Sequence, residues 1–293
     1  VAGRGFRTPL DFFLRFRYNG QTQGPDVEAI LADNLTKQFP PAYSGWRTML
    51  QVVAPATVRA LGGVSFHVEE GKVLALVGEN GAGKSTLLRI LSTLLVPTGG
   101  RAVVAGFDVE RQPTLVRRHI GYHSGADFGF YGRLTGRENL EFFASMSGLS
   151  RAETTARIDE LTEHLGLGPA LARQARGLSS GTINRLGLAR AILHRPRVLL
   201  LDEPTRSLDP VASAEFRGLL KDLVRRQGTT VLFASHILSE IEELADSVAL
   251  IGGGSLVGFD TPAGLLASTG AGSVQQAIET LLARAAIAPG ASR

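Results

Sequence analysis

Hydrophobic positions along the chain follow two rhythms. Continuous apolar runs at Val73-Leu74-Ala75-Leu76-Val77, Val198-Leu199-Leu200-Leu201 and Val231-Leu232-Phe233-Ala234 suit strands buried on both faces, as in a parallel sheet. Elsewhere the period is two: Val64, Phe66 and Val68 alternate with Ser65, His67 and Glu69. That predicts a half-exposed antiparallel strand turning at Gly71-Lys72, with His67 on its solvated side. Further strands are expected from Val27 to Phe39 and from Arg101 to Val109, and a hairpin from 248–251 and 256–259 around Gly252-Gly253-Gly254.

Helical spacing appears between these runs. Leu87, Leu91, Leu94 and Leu95 share one face of a helix that stops before Pro97. Thr135 with Glu138, and Ser150 with Glu153, fit the capping box, in which hydroxyl and carboxylate satisfy each other's free N–H groups. Ile158, Leu161 and Leu165 line the second of these helices. Thr261-Pro262 opens another helix, and a last one is expected from Val274 to Ala286. The order predicts an α/β protein: a mostly parallel sheet, an antiparallel β subdomain near the start, and an inserted α-helical subdomain over about 134–190. Residues 1–26 are expected to form a leader in which Phe6, Phe12, Phe13, Phe16 and Tyr18 mix with arginines. The main domain should span 27–265, and 266–293 should form a C-terminal extension.

Chemistry is carried by the ends of the buried runs. The first run leads into Gly78-Glu79-Asn80-Gly81-Ala82-Gly83-Lys84-Ser85-Thr86, which fits the phosphate-binding template G-x-x-x-x-G-K-[ST] between a strand and a helix. Glycines let the backbone approach phosphates closely, and the N–H groups and dipole at the helix start favour negative charge. Lys84 is placed to reach the β and γ phosphates and Ser85 to ligate magnesium. The template identifies a P-loop NTPase core; the bland reading, a glycine turn with a solvated lysine, does not explain the flanking strand and helix. The second run delivers Asp202 and Glu203, the third Ser235 and His236, at the carboxyl edge where open α/β sheets place ligands. Asp202 is placed to hold magnesium opposite Ser85, and Glu203 is a carboxylate within reach of a water attacking the γ phosphate.

Composition narrows the class. At 293 residues, 44% apolar, the chain can bury a large core. No run approaches the about 18 apolar residues of a membrane-spanning helix. A net charge of +4, from 31 basic and 27 acidic residues without a basic stripe, gives no expectation of nucleic-acid binding. The absence of cysteine excludes disulfides and thiolate metal sites. The chain begins at Val1 and shows no cleavable signal pattern at that end.

Leu178-Ser179-Ser180-Gly181-Thr182 resembles the signature motif, usually LSGGQ, of the ATP-binding cassette (ABC) transporter ATPases. Four further stretches are similar to that family's motifs and stand in its order: Gly78 to Thr86 resembles Walker A, Val198 to Glu203 Walker B, Ser207-Leu208-Asp209 the D-loop, and His236 the switch histidine. The resemblance covers about residues 27–265. It implies a subunit that binds and hydrolyses ATP with Mg2+ and works as a head-to-tail homodimer or heterodimer. In that dimer each ATP lies between Walker A of one subunit and Ser179, Ser180 and Gly181 of the other. It further implies a separate transmembrane permease as partner and a peripheral location on the cytoplasmic face of the cell membrane. Phe130 to Leu140 looks more like subunits of exporters than of importers.

The sequence departs from the family at two places. Tyr122-His123-Ser124-Gly125-Ala126-Asp127 lacks the glutamine the family usually carries there, leaving Asp127 or His123 as substitutes. Ser180 and Thr182 replace a glycine and the glutamine of the signature. The aromatic expected to stack on adenine is Phe39, with Tyr43 and Trp46 as alternatives; Phe39 is equally readable as a strand-end core residue. A DNA-maintenance ATPase of the same superfamily would carry a long coiled coil between Lys84 and Ser179, for which two short capped helices leave no room. A small-molecule P-loop kinase would need neither signature nor D-loop. Those two readings, a non-transport ABC-type ATPase and a kinase, are the alternatives to a transporter subunit.

Overall fold

The computed structural model describes residues 28–40, 57–125, 129–206 and 208–287. The expected leader, Tyr43, Trp46, Asp127 and Ser207 lie outside the described residues. The chain opens with a sheet of antiparallel strands. β1 (Glu28–Phe39) pairs with β2 (Val58–Glu69) on one side and β4 (Gly99–Val104) on the other, and β5 (Phe107–Asp108) adds an edge. The alternation foreseen for Val64, Phe66 and Val68 is present, with these three buried and His67 exposed. The strand expected from Arg101 to Val109 is in fact β4 and β5, because Ala105 (φ 53°) and Gly106 (φ 88°) both turn left-handed and reverse the chain.

β3 (Val73–Val77) runs into the glycine loop and then into α1 (Lys84–Leu91). This helix is a turn shorter than its leucine spacing suggests. Thr93 takes a left-handed conformation (φ 63°) that no α-helix continues through, and Leu94, expected on the buried face, is 63% exposed. α2 (Pro113–His119), unforeseen from sequence, has proline in its first turn and Arg117, Arg118 and His119 in its last, the charge placement a helix dipole favours. It delivers β6 (Ile120–Ser124).

A helical segment follows: α3 (Gly136–Met146), α4 (Arg151–His164), α5 (Gly168–Leu171) and α6 (Ser180–Ile192). Both capping boxes form as read, each with hydroxyl and carboxylate bonded reciprocally; a cap of this kind stabilises its helix by about 1 kcal/mol. The chain returns to the sheet with β7 (Val198–Asp202), α7 (Pro210–Gln227), β8 (Thr230–Ala234) and α8 (Leu238–Leu244). It closes with the hairpin β9 (Ser247–Gly252) and β10 (Ser255–Asp260), then α9 (Pro262–Thr269) and α10 (Val274–Ile287).

The central sheet has the order β10-β9-β3-β8-β7-β6, parallel throughout except for the edge strand β10. Because side chains alternate faces along a strand, the apolar runs feed two cores. Ala75, Leu199, Leu201 and Phe233 pack with Leu186 of α6, Phe216 of α7 and Ile241 of α8. Leu74, Leu76, Leu200 and Leu232 pack with Leu87 and Leu88 of α1 and with the antiparallel sheet. Full burial of one such Leu or Phe contributes roughly 1.5–3 kcal/mol, so these strands cannot slip register without losing both cores at once. That rigidity fixes the carboxyl ends of β3, β8 and β7, which lie side by side.

Candidate active site

Three loops leave these neighbouring strand ends, and each brings a polar group the sequence singled out. The loop Gly78 to Gly83 wraps the start of α1. Gly83, at φ 108°, is the residue before the helix, and a Cβ there would lie 2.5 Å from the Ala60 carbonyl oxygen; only glycine closes this turn. Lys84 is 7% exposed and folds back over the loop, donating to the carbonyls of Gly78 at 2.6 Å and Glu79 at 3.0 Å. Burial lowers its pKa, while Glu203 and Asp202 act to raise it. The first turn of α1 holds no acidic residue, so nothing there opposes an anion.

Ser85 Oγ donates to Asp202 Oδ1 at 3.1 Å. Burial raises the Asp202 pKa; the Ser85 bond acts against that, and the Glu203 charge adds to it. A desolvated carboxylate beside a hydroxyl, with its charge disfavoured, fits a divalent cation. Two hard oxygen donors are what Mg2+ takes from a protein when phosphates and water complete its octahedron. The described residues contain no cluster of three or more His, Cys, Asp or Glu that could hold a metal ion.

Glu203 directly follows β7 with φ 50°, a strained conformation for a non-glycine residue and one that surroundings must over-determine. Its N–H donates to the Ala234 carbonyl at 3.0 Å, and its Oε2 lies 2.8 Å from His236 Nδ1. His236 is well exposed and the Glu203 side chain largely enclosed. Gly125, the first residue after β6, closes on the same place. Its N–H donates to the Asp202 carbonyl at 3.0 Å, and a Cβ on Gly125 would stand 2.3 Å from the Glu203 carbonyl oxygen. The segment lacking the family's glutamine therefore touches the Glu203 backbone directly, a contact that only glycine permits and that sequence reading missed.

His123 does not stand in for that glutamine. It is fully buried on the opposite face of β6, with Nε2 2.8 Å from Asn184 Oδ1 of α6, whose amide donates to the Pro204 carbonyl at 2.6 Å. Burial pushes its pKa down to about 4, so it is a neutral strut between β6, α6 and the segment after Glu203. Sequence alternation along β6 carried the signal: Tyr122 and Ser124 face α1 and Asp202, and His123 must face away.

Ser179 caps α6, its Oγ accepting from Thr182 N–H at 3.3 Å and lying 2.8 Å from Thr182 Oγ1. Thr182, where the family has glutamine, serves the cap. Ser179 and Ser180 are exposed and Gly181 half-buried, with Leu208 nearby, so the helix start opens outward. Asp209 caps α7, accepting from Val211 and Ala212 N–H at 3.0 and 2.9 Å. Phe39 ends β1 half-buried, with Lys37 Nζ 5.2 Å from its ring centroid.

Comparison with known proteins agrees with this geometry. The ABC transporter family matches residues 61–206. The chain is 42% identical over 200 residues to the ABC transporter ATP-binding protein NatA of Bacillus subtilis, covering 68% of this chain and 81% of NatA. It is 39% identical over 230 residues to the daunorubicin/doxorubicin resistance ATP-binding protein DrrA of Streptomyces peucetius, covering 78% of this chain and 68% of DrrA. The chain spans only 61 to 66% of several further relatives. The dimeric structure of MJ0796, a bacterial ABC transporter cassette, superposes with a TM-score of 0.69 at 25% identity, over 79% of this chain and 98% of the other. The chain belongs to the ATP-binding subunits of ABC transporters, a family of ATPases.

Proposed function

We propose that the protein hydrolyses ATP with Mg2+ to power export through a separate transmembrane permease, acting as an ATP-sandwich dimer on the cytoplasmic face of the membrane. The observation that carries this reading is the meeting of Lys84, Ser85–Asp202 and Glu203–His236 at the ends of three adjacent parallel strands. The relative DrrA is named for resistance to daunorubicin and doxorubicin, which supports export. Among the described residues no helix is long and apolar enough to cross a membrane, in keeping with a permease on another chain.

Each residue has a task in this reading. N–H groups of 78–86 bind the β and γ phosphates, and Lys84 leaves the Gly78 and Glu79 carbonyls to pair with them. Ser85 and Asp202 would hold magnesium, which supplies charge neutralisation on the phosphate oxygens. Glu203 accepts the proton of the attacking water, and His236, against the Glu203 carboxylate, orients it and contacts the γ phosphate. Phe39 stacks on adenine. Ser179, Ser180 and Gly181 complete the partner's site, their outward-facing helix start stabilising charge on its γ phosphate. Asp209 holds the D-loop by capping α7.

Glu203→Gln tests the reading. It keeps shape but removes the base, whose contribution is roughly 10²–10⁴-fold. Hydrolysis should drop on that scale while ATP binding persists, and an ATP-bound dimer should accumulate on size-exclusion chromatography. Turnover within about threefold of wild type, below the range expected of a general base, removes Glu203 from the mechanism.

A further inference from the structure

Behind the Glu203–His236 pair lies a carboxylate that none of the steps above uses. Glu240, in the first turn of α8, is 1% exposed. One of its oxygens accepts a very short hydrogen bond from Thr205 Oγ1, and the other accepts from Ser235 Oγ at 2.6 Å. Ser235 and Thr205 are themselves buried, at 1% and 3% exposure. The Ser235 oxygen accepts in turn from Ile237 N–H at 3.0 Å, so the residues on both sides of His236 are tied to one anchor. Thr205 stands two residues after Glu203, in the turn where Arg206 N–H donates to the Glu203 carbonyl at 3.3 Å. One carboxylate therefore joins the two loops whose side chains meet at the γ-phosphate position.

Packing alone does not account for an acid here. Enclosing a carboxylate carries a desolvation cost that an apolar or amide side chain of similar volume avoids, and the ion pairs among the described residues do not reach Glu240. What an acid offers is two acceptors in one rigid plane, each taking a hydroxyl proton. Glu203 has a strained backbone that its surroundings must hold, and His236 sits on an exposed loop. Both need a fixed reference.

We propose that Glu240 is a positioning residue that sets Glu203 and His236 against each other through Thr205 and Ser235, so that hydrolysis depends on it and ATP binding does not. The inference rests on the reading that Glu203 and His236 act on the γ phosphate. Glu240→Gln keeps volume but turns one acceptor into an N–H donor. In the full chain, steady-state hydrolysis should fall about tenfold, the scale of one charge-assisted hydrogen bond, with ATP affinity unchanged by titration. The deciding measurement is a double-mutant cycle with His236→Ala. If Glu240 acts by holding Glu203 and His236 against each other, removing His236 removes part of what it aligns, and the two losses combine to less than their product. Losses that multiply, unchanged turnover in Glu240→Gln, or a parallel loss of ATP affinity each overturn the proposal in favour of a structural role. Ser235→Ala removes only one leg of the bridge and enters the same cycle should Glu240→Gln fail to fold. If His236→Ala leaves hydrolysis intact, it is the underlying active-site reading that fails.

Discussion

The two regions assigned to the proposed nucleotide site are built differently. At the ends of β3, β7 and β8, Lys84 and Asp202 are buried, Lys84 bonds its own loop, Asp202 bonds Ser85 of α1, and Glu203 is pinned to Ala234 of β8 and to His236. At the tip of α6, Ser179 bonds only within its own turn and faces outward beside the exposed Ser180. The first half is finished within one chain. The second is a helix start whose Ser179 and Ser180 are exposed among the described residues, as a surface meant for another molecule's phosphate would be. Binding should therefore reside in the first half, and turnover should require both.

Lys84→Ala should break that comparison most deeply. It removes the cation that the proposed reading sets against the phosphates, in a site otherwise built on backbone dipoles, and nucleotide binding should be lost; unchanged affinity in a titration would sink the P-loop assignment. Ser179→Arg should leave ATP binding by the monomer largely intact and suppress hydrolysis if, as proposed, the exposed helix start acts on the opposite subunit's nucleotide. Hydrolysis at the wild-type rate would mean that one chain suffices.

Gly125→Ala sharpens the comparison from inside the first half. The added Cβ would press on the Glu203 carbonyl from 2.3 Å, a contact that backbone must yield to, since neither atom belongs to a flexible side chain. Displacement of a reacting group by about 1 Å costs on the order of 10²-fold, so kcat should fall by up to that scale with KM for ATP little changed. Gly125→Gln, which restores the residue the family usually has in this segment, should be at least as harmful. A gain in turnover for Gly125→Gln would show instead that the segment simply lacks a useful side chain.

What the sequence made legible follows from where chemistry is written in side chains. Strand runs, capping boxes and the groups at strand ends could be read because each depends on local pattern, and Asp202 comes within 3.1 Å of Ser85 from 117 positions away only because parallel register leaves no other place for it. The end of α1 was misread because leucine spacing continues past a backbone that has already turned at Thr93. α2 was missed since it has a single fully buried apolar residue, Val116, too few to show a period. Gly125 and Glu240 were invisible for a different reason. One acts through an absent side chain, and the other through hydroxyls that sequence alone does not place beside it.

The smallest expected effect concerns pH and tests whether Asp202 is the metal ligand. Its pKa is raised by burial, so in the fold it takes up a proton at a pH where an ordinary aspartate is still ionised. Ionised Asp202 therefore costs folding free energy at neutral pH, and that cost disappears as pH falls through the raised value. Mg2+ requires the ionised form and competes with this proton. The thermal stabilisation that Mg2+ adds to the ATP-bound protein should shrink as pH falls toward the raised value, above the range of an ordinary aspartate, while stabilisation by ATP in chelator changes less. Asp202→Asn cannot titrate and should show a weak, pH-independent Mg2+ effect. Equal pH dependence in wild type and Asp202→Asn would assign the metal to other ligands and leave the 3.1 Å Ser85–Asp202 contact as a structural bond alone.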